Sequence, residues 1–191
     1  MLAVLVFAVV LTPWTIRNWV TFDRPVLVAT NSGTAIAGAN CDETFAGDKL
    51  GGWWPPCIRE HPGNEAEHHS EALRDGVRYA GDHLGRLPVV LAARFGRVWS
   101  VYDPFQTPEG RSRRIQRLGV IAFFVLVPFA VAGAAVLRRR GVGVWIVATP
   151  FVVVSITALA TYGNMRFREH AELSLVVLAA VALDAYGRRT A

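Results

Sequence analysis

Leu118–Leu137, with the sequence LGVIAFFVLVPFAVAGAAVL, decides the fold, because these twenty consecutive residues carry no charge. At about 1.5 Å per residue, an α-helix of this length spans ~30 Å, the thickness of the hydrocarbon core of a bilayer. Val142–Thr161 is a second uncharged stretch of the same length. A helix satisfies its own backbone hydrogen bonds, as the interior of a bilayer demands. Both stretches therefore predict transmembrane helices.

Two shorter apolar segments lie near the ends of the chain, at residues 1–14 and 173–186. The first would span only ~20 Å. No basic n-region and no small-residue cleavage site precedes Pro13, which favours a shortened or truncated membrane helix over a signal peptide. The predicted fold class is mainly α, with about four membrane helices, two of them short. An external region of loops and amphipathic helices occupies residues 15–117, and a second external loop occupies 162–172.

The distribution of arginines predicts the orientation in the membrane. Arg138–Arg140 lie in the short connection between the two central helices, and cytoplasmic loops are enriched in basic residues. With this connection inside, residues 15–117 and 162–172 face outward from a multi-pass protein of the cell membrane. The four arginines between Arg111 and Arg117 favour the opposite orientation, but long polar segments cross membranes largely regardless of charge.

The basic composition does not indicate a nucleic-acid partner. Lys49 is the only lysine beside nineteen arginines, and the arginine clusters adjoin apolar segments, where lipid head groups and topology explain them better. His61, His68 and His69 do not have a recognised metal-ligand spacing, and a solvated loop and helix start is the interpretation. No GxSxG, P-loop or dinucleotide motif occurs. The sequence thus predicts a lipid bilayer as partner, without nucleic acid, metal or cofactor.

The polar middle of the chain contains two helical patterns. From Glu65 onward, apolar residues recur every three or four positions, at Leu73, Val77, Ala80, Leu84 and Leu87. Pro88 suits the first turn of a second helix, and its apolar stripe consists of Leu91, Phe95, Val98 and Tyr102. Arg94 and Arg97 lie on an adjacent face, where snorkelling at the membrane surface is favoured over phosphate binding. Val26–Thr30 is a short β-like run.

Cys41 and Cys57 are the only cysteines and flank a loop rich in glycine and tryptophan. A disulfide between them would contribute ~3 kcal/mol by restricting the unfolded chain, and it would require an oxidising compartment. Two unpaired thiols are the alternative. The disulfide is consistent with a loop that faces outward.

Tyr162–His170 is the most suggestive site, because it places Arg166 and Arg168 at the end of a membrane helix. Guanidinium groups bind phosphate oxygens in a bidentate manner, so the two arginines are candidate ligands of a lipid-linked phosphate. An anchor for lipid head groups or for membrane topology is an equally good interpretation of these residues alone.

The chain resembles the C-terminal part of bacterial, especially actinobacterial, glycosyltransferases of family 39, which have the GT-C membrane fold. Four stretches carry this resemblance, in the right order and over most of the chain. They are TPWTIRNW (Thr12–Trp19), RPVLVATNSGTAIAGANCD (Arg24–Asp42), RYAGDHLGRLPVVLAARFGRVWSVYDPFQ (Arg78–Gln106) and TYGNMRFREHAELSLVVLAAVAL (Thr161–Leu183). The order and the membrane pattern make the match, more than any single motif.

The resemblance implies transfer of a sugar from a polyprenyl-phosphate donor at the outer face of the membrane. It implies that Arg166 and Arg168 contact the donor phosphate and that Asn31 and Asn40 belong to the substrate-binding external loop. The family's catalytic carboxylate lies in the first external loop of a longer protein, so no catalytic residue is assigned here. The chain is therefore expected to be a C-terminal portion, inactive without a missing N-terminal half. The alternative is a non-catalytic membrane protein, structural or accessory, that retains the same fold.

Overall fold

The computed structural model describes residues 2–24, 26–105 and 112–190, except for the side chains at 189 and 190. These residues form helices and connections without any strand, which confirms the mainly α class. The α-helices are α1 (Leu2–Phe22), α2 (Asn31–Ala39), α3 (Asp42–Phe45), α4 (Glu65–Asp82), α5 (Leu87–Val98), α6 (Arg113–Arg139), α7 (Trp145–Ala160) and α8 (Met165–Thr190), with a 3-10 turn at Pro55–Cys57. Arg111 and Gln106, which entered the orientation and resemblance arguments, lie outside the described residues.

Three helices are long and apolar enough to cross a membrane by length and composition. They are Leu2–Phe22, Arg113–Arg139 and Met165–Arg188. The apolar helix α7, at Trp145–Ala160, is shorter than these. The chain divides into two compact units, Met1–Val90 and Leu91–Ala191, with the boundary inside α5.

The first helix continues to Phe22, beyond the predicted end at residue 14. The chain that follows α1 folds back onto its last turns and fixes them. Trp14 Nε1 donates a hydrogen bond to the carbonyl of Val28 at 2.8 Å, and Thr15 Oγ1 donates to the carbonyl of Leu27 at 2.9 Å. The run predicted as β-like is thus a non-helical segment whose carbonyls bind α1.

The last helix begins at Met165, so the loop predicted at 162–172 is much shorter. Asn164 ends this connection because its Oδ1 accepts a hydrogen bond from the Arg166 N–H at 2.9 Å. Its backbone carbonyl accepts a second bond, from the Phe167 N–H at 3.1 Å. The charged residues that suggested a loop therefore occupy the first turns of α8.

The first unit is built on close contact between α2 and α4. A Cβ added to Gly76 would lie 2.7 Å from the carbonyl oxygen of Ile36, so the two backbones nearly touch. Only small residues fit there, and the buried residues of α4 are Ala66, Ala72 and Gly76. The predicted apolar stripe is wrong in part: Leu73 and Ala80 are partly buried, but Val77 is 58% exposed, and Leu84, which follows the end of the helix, is 63% exposed.

A disulfide between Cys41 and Cys57 closes the loop beside α2. Within this loop, Asp42 accepts a hydrogen bond from the hydroxyl of Tyr79 at 2.6 Å. Burial, and secondly this bond to the carboxylate, raise the pKa of Tyr79 to about 12. Phe45 is buried with its ring edge against Tyr79, at 5.1 Å between centroids. The loop is thus tied to α4 by covalent, polar and aromatic contacts.

The second unit is built on α6 and α8, which run in the same direction. Gln116 Nε2 and Met165 Sδ are 3.4 Å apart near the start of the two helices, and Gly133 meets the Leu178 carbonyl further along. The core between them consists of Phe123, Ala130, Leu175 and Leu178. A second core cluster joins the end of α5 to α7 and α8 and consists of Val98, Val154, Ala158 and Ala171.

Candidate functional site: three buried arginines

Three arginines of the second unit are buried. Arg94 and Arg97 of α5 are 3% and 4% exposed, and Arg168 of α8 is 2% exposed. Arginine is almost never fully buried unless its charge is paired, because a guanidinium loses much hydration energy away from water. We refer to Arg94, Arg97 and Arg168 as the arginine site.

The orientation of α5 differs in part from the predicted one, because Val98 of the predicted apolar stripe is buried whereas Phe95 is not. Arg94 and Arg97 face the interior of the unit, whereas Phe95 is 45% exposed. The interpretation of the two arginines as snorkelling residues is therefore wrong. The cause is Gly163, in the connection between α7 and α8, where an added Cβ would lie 2.4 Å from the Arg94 carbonyl oxygen and 2.7 Å from Arg97 Cβ. A residue without a side chain lets this connection cross the arginine face of α5.

Each arginine of α5 has a defined contact within the unit. Arg94 Nη1 donates to the carbonyl of Leu159 at 3.0 Å, near the end of α7. Burial lowers the pKa of Arg94 to about 10, so the guanidinium remains charged at neutral pH. Arg97 Nη1 lies 2.8 Å from Asp103 Oδ2, and its guanidinium lies 5.4 Å from the ring centre of Tyr102.

Arg168 links three segments of the second unit. Its Nη1 donates to Ser100 Oγ at 2.7 Å, just after α5, and its Nε donates to Glu172 Oε1 at 2.9 Å, one turn further along α8. Its guanidinium carbon lies 4.0 Å from the ring centre of Phe123 in α6, a close cation–π contact. The planar group is thereby held in one orientation.

The segment after α5 has an unusual backbone that presents two of these partners. Ser100 and Asp103 have φ angles of 58° and 43°, in the left-handed region that side chains other than glycine rarely adopt. The amides of Val101 and Tyr102 both donate to the carbonyl of Gly96, at 2.9 and 3.1 Å, which closes the turn. Strained backbone of this kind is concentrated at functional sites. Here it directs a hydroxyl and a carboxylate toward the arginines.

The acidic partners are much more exposed than the arginines that they contact. The side chains of Asp103 and Glu172 are 44% and 42% exposed, against 5% and 2% for those of Arg97 and Arg168. Water screens a carboxylate at the rim and weakens its attraction for a buried guanidinium. The three guanidinium groups are therefore buried, whereas the two carboxylates that contact Arg97 and Arg168 are exposed to water. Planar guanidinium groups match the geometry of the oxygens of a phosphate.

Of the four predicted substrate-binding residues, only Arg168 is part of this site. Arg166 is exposed on the first turn of α8. Asn31 and Asn40 belong to the other unit, where Asn31 begins α2 and Asn40 Nδ2 donates to the carbonyl of Ile36 at 2.8 Å. Their role in substrate binding remains a prediction.

The sequence left phosphate binding by Arg94 and Arg97 open but favoured snorkelling, and it did not predict that both side chains are buried. The available signal was the pair itself, two arginines three positions apart around Gly96 in an otherwise apolar segment. Ionisable residues in membrane-associated helices face the protein interior and mark functional positions.

The histidines of the first unit have structural contacts. His61 Nε2 lies 3.2 Å from Asp75 Oδ2, and His69 Nδ1 lies 2.7 Å from the carbonyl of Thr30. Within residues 2–24, 26–105 and 112–190, no group of three potential ligands is arranged to hold a metal ion.

Comparisons with protein-family models, with curated proteins and with solved structures find no match to this chain.

Proposed function

We propose that this chain is the C-terminal portion of a membrane glycosyltransferase that transfers a sugar from a polyprenyl-phosphate donor to an acceptor at the outer face of the cytoplasmic membrane. The arginine site carries the proposal, because Arg94, Arg97 and Arg168 are buried in a unit that contains two helices long enough to span a membrane. The phosphate of a lipid-linked sugar lies at the membrane surface, so we expect a protein site for it near the end of a membrane-spanning helix. The sequence resemblance supports the same chemistry.

The proposed role of the arginines is to stabilise the leaving phosphate. When the bond between the sugar and the phosphate breaks, negative charge grows on the phosphate oxygens, and guanidinium groups that are already in position lower the energy of this state. The transfer also needs a carboxylate that accepts the proton of the acceptor hydroxyl. The resemblance assigns that base to the N-terminal half of a longer enzyme, which is therefore a proposed partner.

Orientation supports the placement of this site at the outer face. Arg168 lies near the start of α8, and α6, whose start meets it, runs for 27 residues to Arg139. A helix of that length covers ~40 Å, enough to separate the two faces of a bilayer. The connection at Arg138–Arg140 is predicted to be cytoplasmic, so the opposite end of the unit faces outward.

One observation favours a second candidate, a non-catalytic membrane protein. Arg97 and Arg168 each have an acidic neighbour within the unit, Asp103 and Glu172. Buried ion pairs can persist for structural reasons alone, although they rarely increase stability. In that case the arginines would order the end of α5 against α8 without binding a ligand.

The experiment measures how tightly the purified chain, in neutral detergent, binds a long-chain polyprenyl monophosphate. The two candidates predict different effects of Arg168→Gln on this affinity. We expect Arg168→Gln to weaken binding about ten-fold, because hydrogen bonds from a charged donor contribute ~1.5–3 kcal/mol. Arg138→Gln removes the same charge from an exposed side chain at the far end of α6 and is expected to change the affinity less than about two-fold. Isothermal titration or a ligand-induced rise in Tm measures both affinities.

The uncharged polyprenol is the control ligand. It is expected to bind wild type and Arg168→Gln equally, because it lacks the phosphate. Arg168→Lys keeps the charge but loses the planar fork, so its affinity is expected to lie between those of wild type and Arg168→Gln. If phosphate and alcohol bind wild type equally well, or if Arg138→Gln and Arg168→Gln behave alike, the arginine site does not bind the phosphate and the non-catalytic candidate is favoured.

A further inference from the structure

A cavity lies between the C-terminal turns of α6 and α8, at the opposite end of the second unit from the arginine site. Its volume is about 840 Å³. Phe129 and Ala132 of α6 and Leu183 of α8 form part of its apolar wall, and Arg139, Arg140 and Arg188 are at its border. Neither the resemblance nor the proposed transferase activity assigns a role to this cavity.

Small side chains produce the cavity. The two helices are in close contact at Gly133, where an added Cβ would lie 1.8 Å from the carbonyl oxygen of Leu178. Near this contact, the cavity is lined by alanines from both helices, namely Ala132, Ala135, Ala182 and Ala185. Tyr186 also lines it and offers an apolar ring with a polar tip, as is common at the interface of a membrane.

The border of the cavity is positively charged. Arg138, Arg139 and Arg140 are exposed, and Arg188 Nε lies 3.0 Å from both carboxylate oxygens of Asp184. The C-terminal ends of α6 and α8 each contribute about half a negative charge. After these contributions and Asp184, the three arginines that line the border, Arg139, Arg140 and Arg188, leave it with about one positive charge.

We propose that this cavity binds an anionic phospholipid, with the lipid phosphate against Arg139 and Arg140 and an acyl chain along the apolar wall. A phospholipid combines an apolar acyl chain with a charged phosphate, and the cavity combines an apolar wall with guanidinium groups at its border. Basic pockets between membrane helices on the cytoplasmic side bind anionic head groups, and Arg138–Arg140 are predicted to lie on that side. The inference requires that α6 and α8 cross the membrane, and it is independent of the glycosyltransferase proposal.

Arg138 separates this proposal from a simpler explanation. Arginines at the end of a helix offset its dipole and attract anionic membrane surfaces wherever they point. Arg138 carries the same charge at the same helix end, but it does not line the cavity. A bound lipid therefore depends on Arg139 more than on Arg138, whereas a diffuse surface effect depends on both equally.

The experiment measures binding of phosphatidylglycerol to the full chain in neutral detergent, by native mass spectrometry and by the rise in Tm. Arg139→Gln is expected to weaken binding about five-fold, and Arg139→Gln combined with Arg140→Gln about 30-fold. Arg138→Gln is expected to change it less than two-fold. Ala135→Phe retains every charge and fills the cavity from an exposed position, and it is also expected to weaken binding.

Three results would overturn the proposal. Equal losses in Arg138→Gln and Arg139→Gln would show a general surface effect. Equal binding of phosphatidylcholine and phosphatidylglycerol by wild type would show that binding does not depend on the net negative charge of the lipid head group. Full displacement of the lipid by inorganic phosphate or by chain-free glycerophosphoglycerol, together with unchanged binding in Ala135→Phe, would show an anion site without a lipid. The Tm of each variant without lipid confirms that it is folded.

Discussion

Gly133→Ala is expected to lower the free energy of unfolding of the second unit by ~3 kcal/mol, although alanine is the better helix former by about 1 kcal/mol. The new Cβ would lie 1.8 Å from the carbonyl oxygen of Leu178, and real Cβ atoms do not approach backbone oxygens so closely. Because both groups belong to helix backbones, neither can rotate away, and α6 must move from α8. That movement opens the core around Phe123 and Leu175.

Gly119→Ala is the matched control, since Gly119 lies in the same helix with nothing within 4 Å of its added Cβ. It is expected to raise stability by up to ~1 kcal/mol, through helix propensity alone. Denaturation of both variants in the same detergent, followed by circular dichroism, gives the two changes. Opposite signs support direct contact of α6 and α8 through Gly133. A stabilisation of equal size in both would show that the helices are not in contact there.

The long apolar helices were the most predictable part of the fold. The uncharged stretch Leu118–Leu137 lies within α6, which extends a few residues further at each end. At its start, Ser112 Oγ accepts a hydrogen bond from the Ile115 N–H at 3.4 Å. Absence of charge locates the part of a helix that fits hydrocarbon, whereas the helix itself continues until a cap or a turn stops it.

The start of α8 shows where this reasoning fails. Charges at Arg166, Arg168 and Glu172 suggested a loop, yet all three residues are helical. A hydropathy pattern does not distinguish a charged helical turn from a charged loop, because it carries no information about which distant residues contact the charged side chains. Arg168 is buried only because Ser100, distant in sequence, supplies an acceptor at 2.7 Å.

The arginine site could not be predicted from the periodicity of α5 for a related reason. Periodicity analysis assigns the apolar side of a helix to the interior, as in a protein surrounded by water. In a protein that contacts lipid, apolar side chains such as Phe95 can face outward and polar ones inward. The contact of Gly163 with Arg94 and Arg97, which fixes the choice, is between residues about seventy positions apart.

The close approach of the backbones of α4 and α2 could also not be predicted from the sequence of α4. The stripe of large apolar residues did not identify the residues that pack most closely, which are Ala66, Ala72 and Gly76. Small residues contribute little to a hydrophobic pattern, but they allow two helices to approach closely. A pattern of small residues on one helix shows its packing face only after the partner, here Ile36 of α2, is known.

Cys41→Ser combined with Cys57→Ser is expected to lower the free energy of unfolding of the first unit by ~3 kcal/mol. The disulfide joins residues 16 positions apart, with a Cα–Cα distance of 6.1 Å, and its removal restores the freedom of this loop to the unfolded chain. Denaturant unfolding, followed by tryptophan fluorescence from Trp53 and Trp54 inside the loop, measures the change. Wild type in a reducing agent is expected to match the variant.

Tyr79→Phe is the control for the loop's other attachment. It removes the hydrogen bond to Asp42, whereas Phe45 and the disulfide remain, so a loss of only ~1 kcal/mol is expected. The order of the two losses tests whether the covalent link or the contact with α4 holds the loop. Equal losses would contradict the loop-entropy explanation.

The disulfide between Cys41 and Cys57 also tests the orientation of the chain in the membrane, because a disulfide persists only in an oxidising compartment. If thiols are blocked during lysis and Cys41 and Cys57 are then found free, residues 15–117 face the cytoplasm and the predicted topology is inverted.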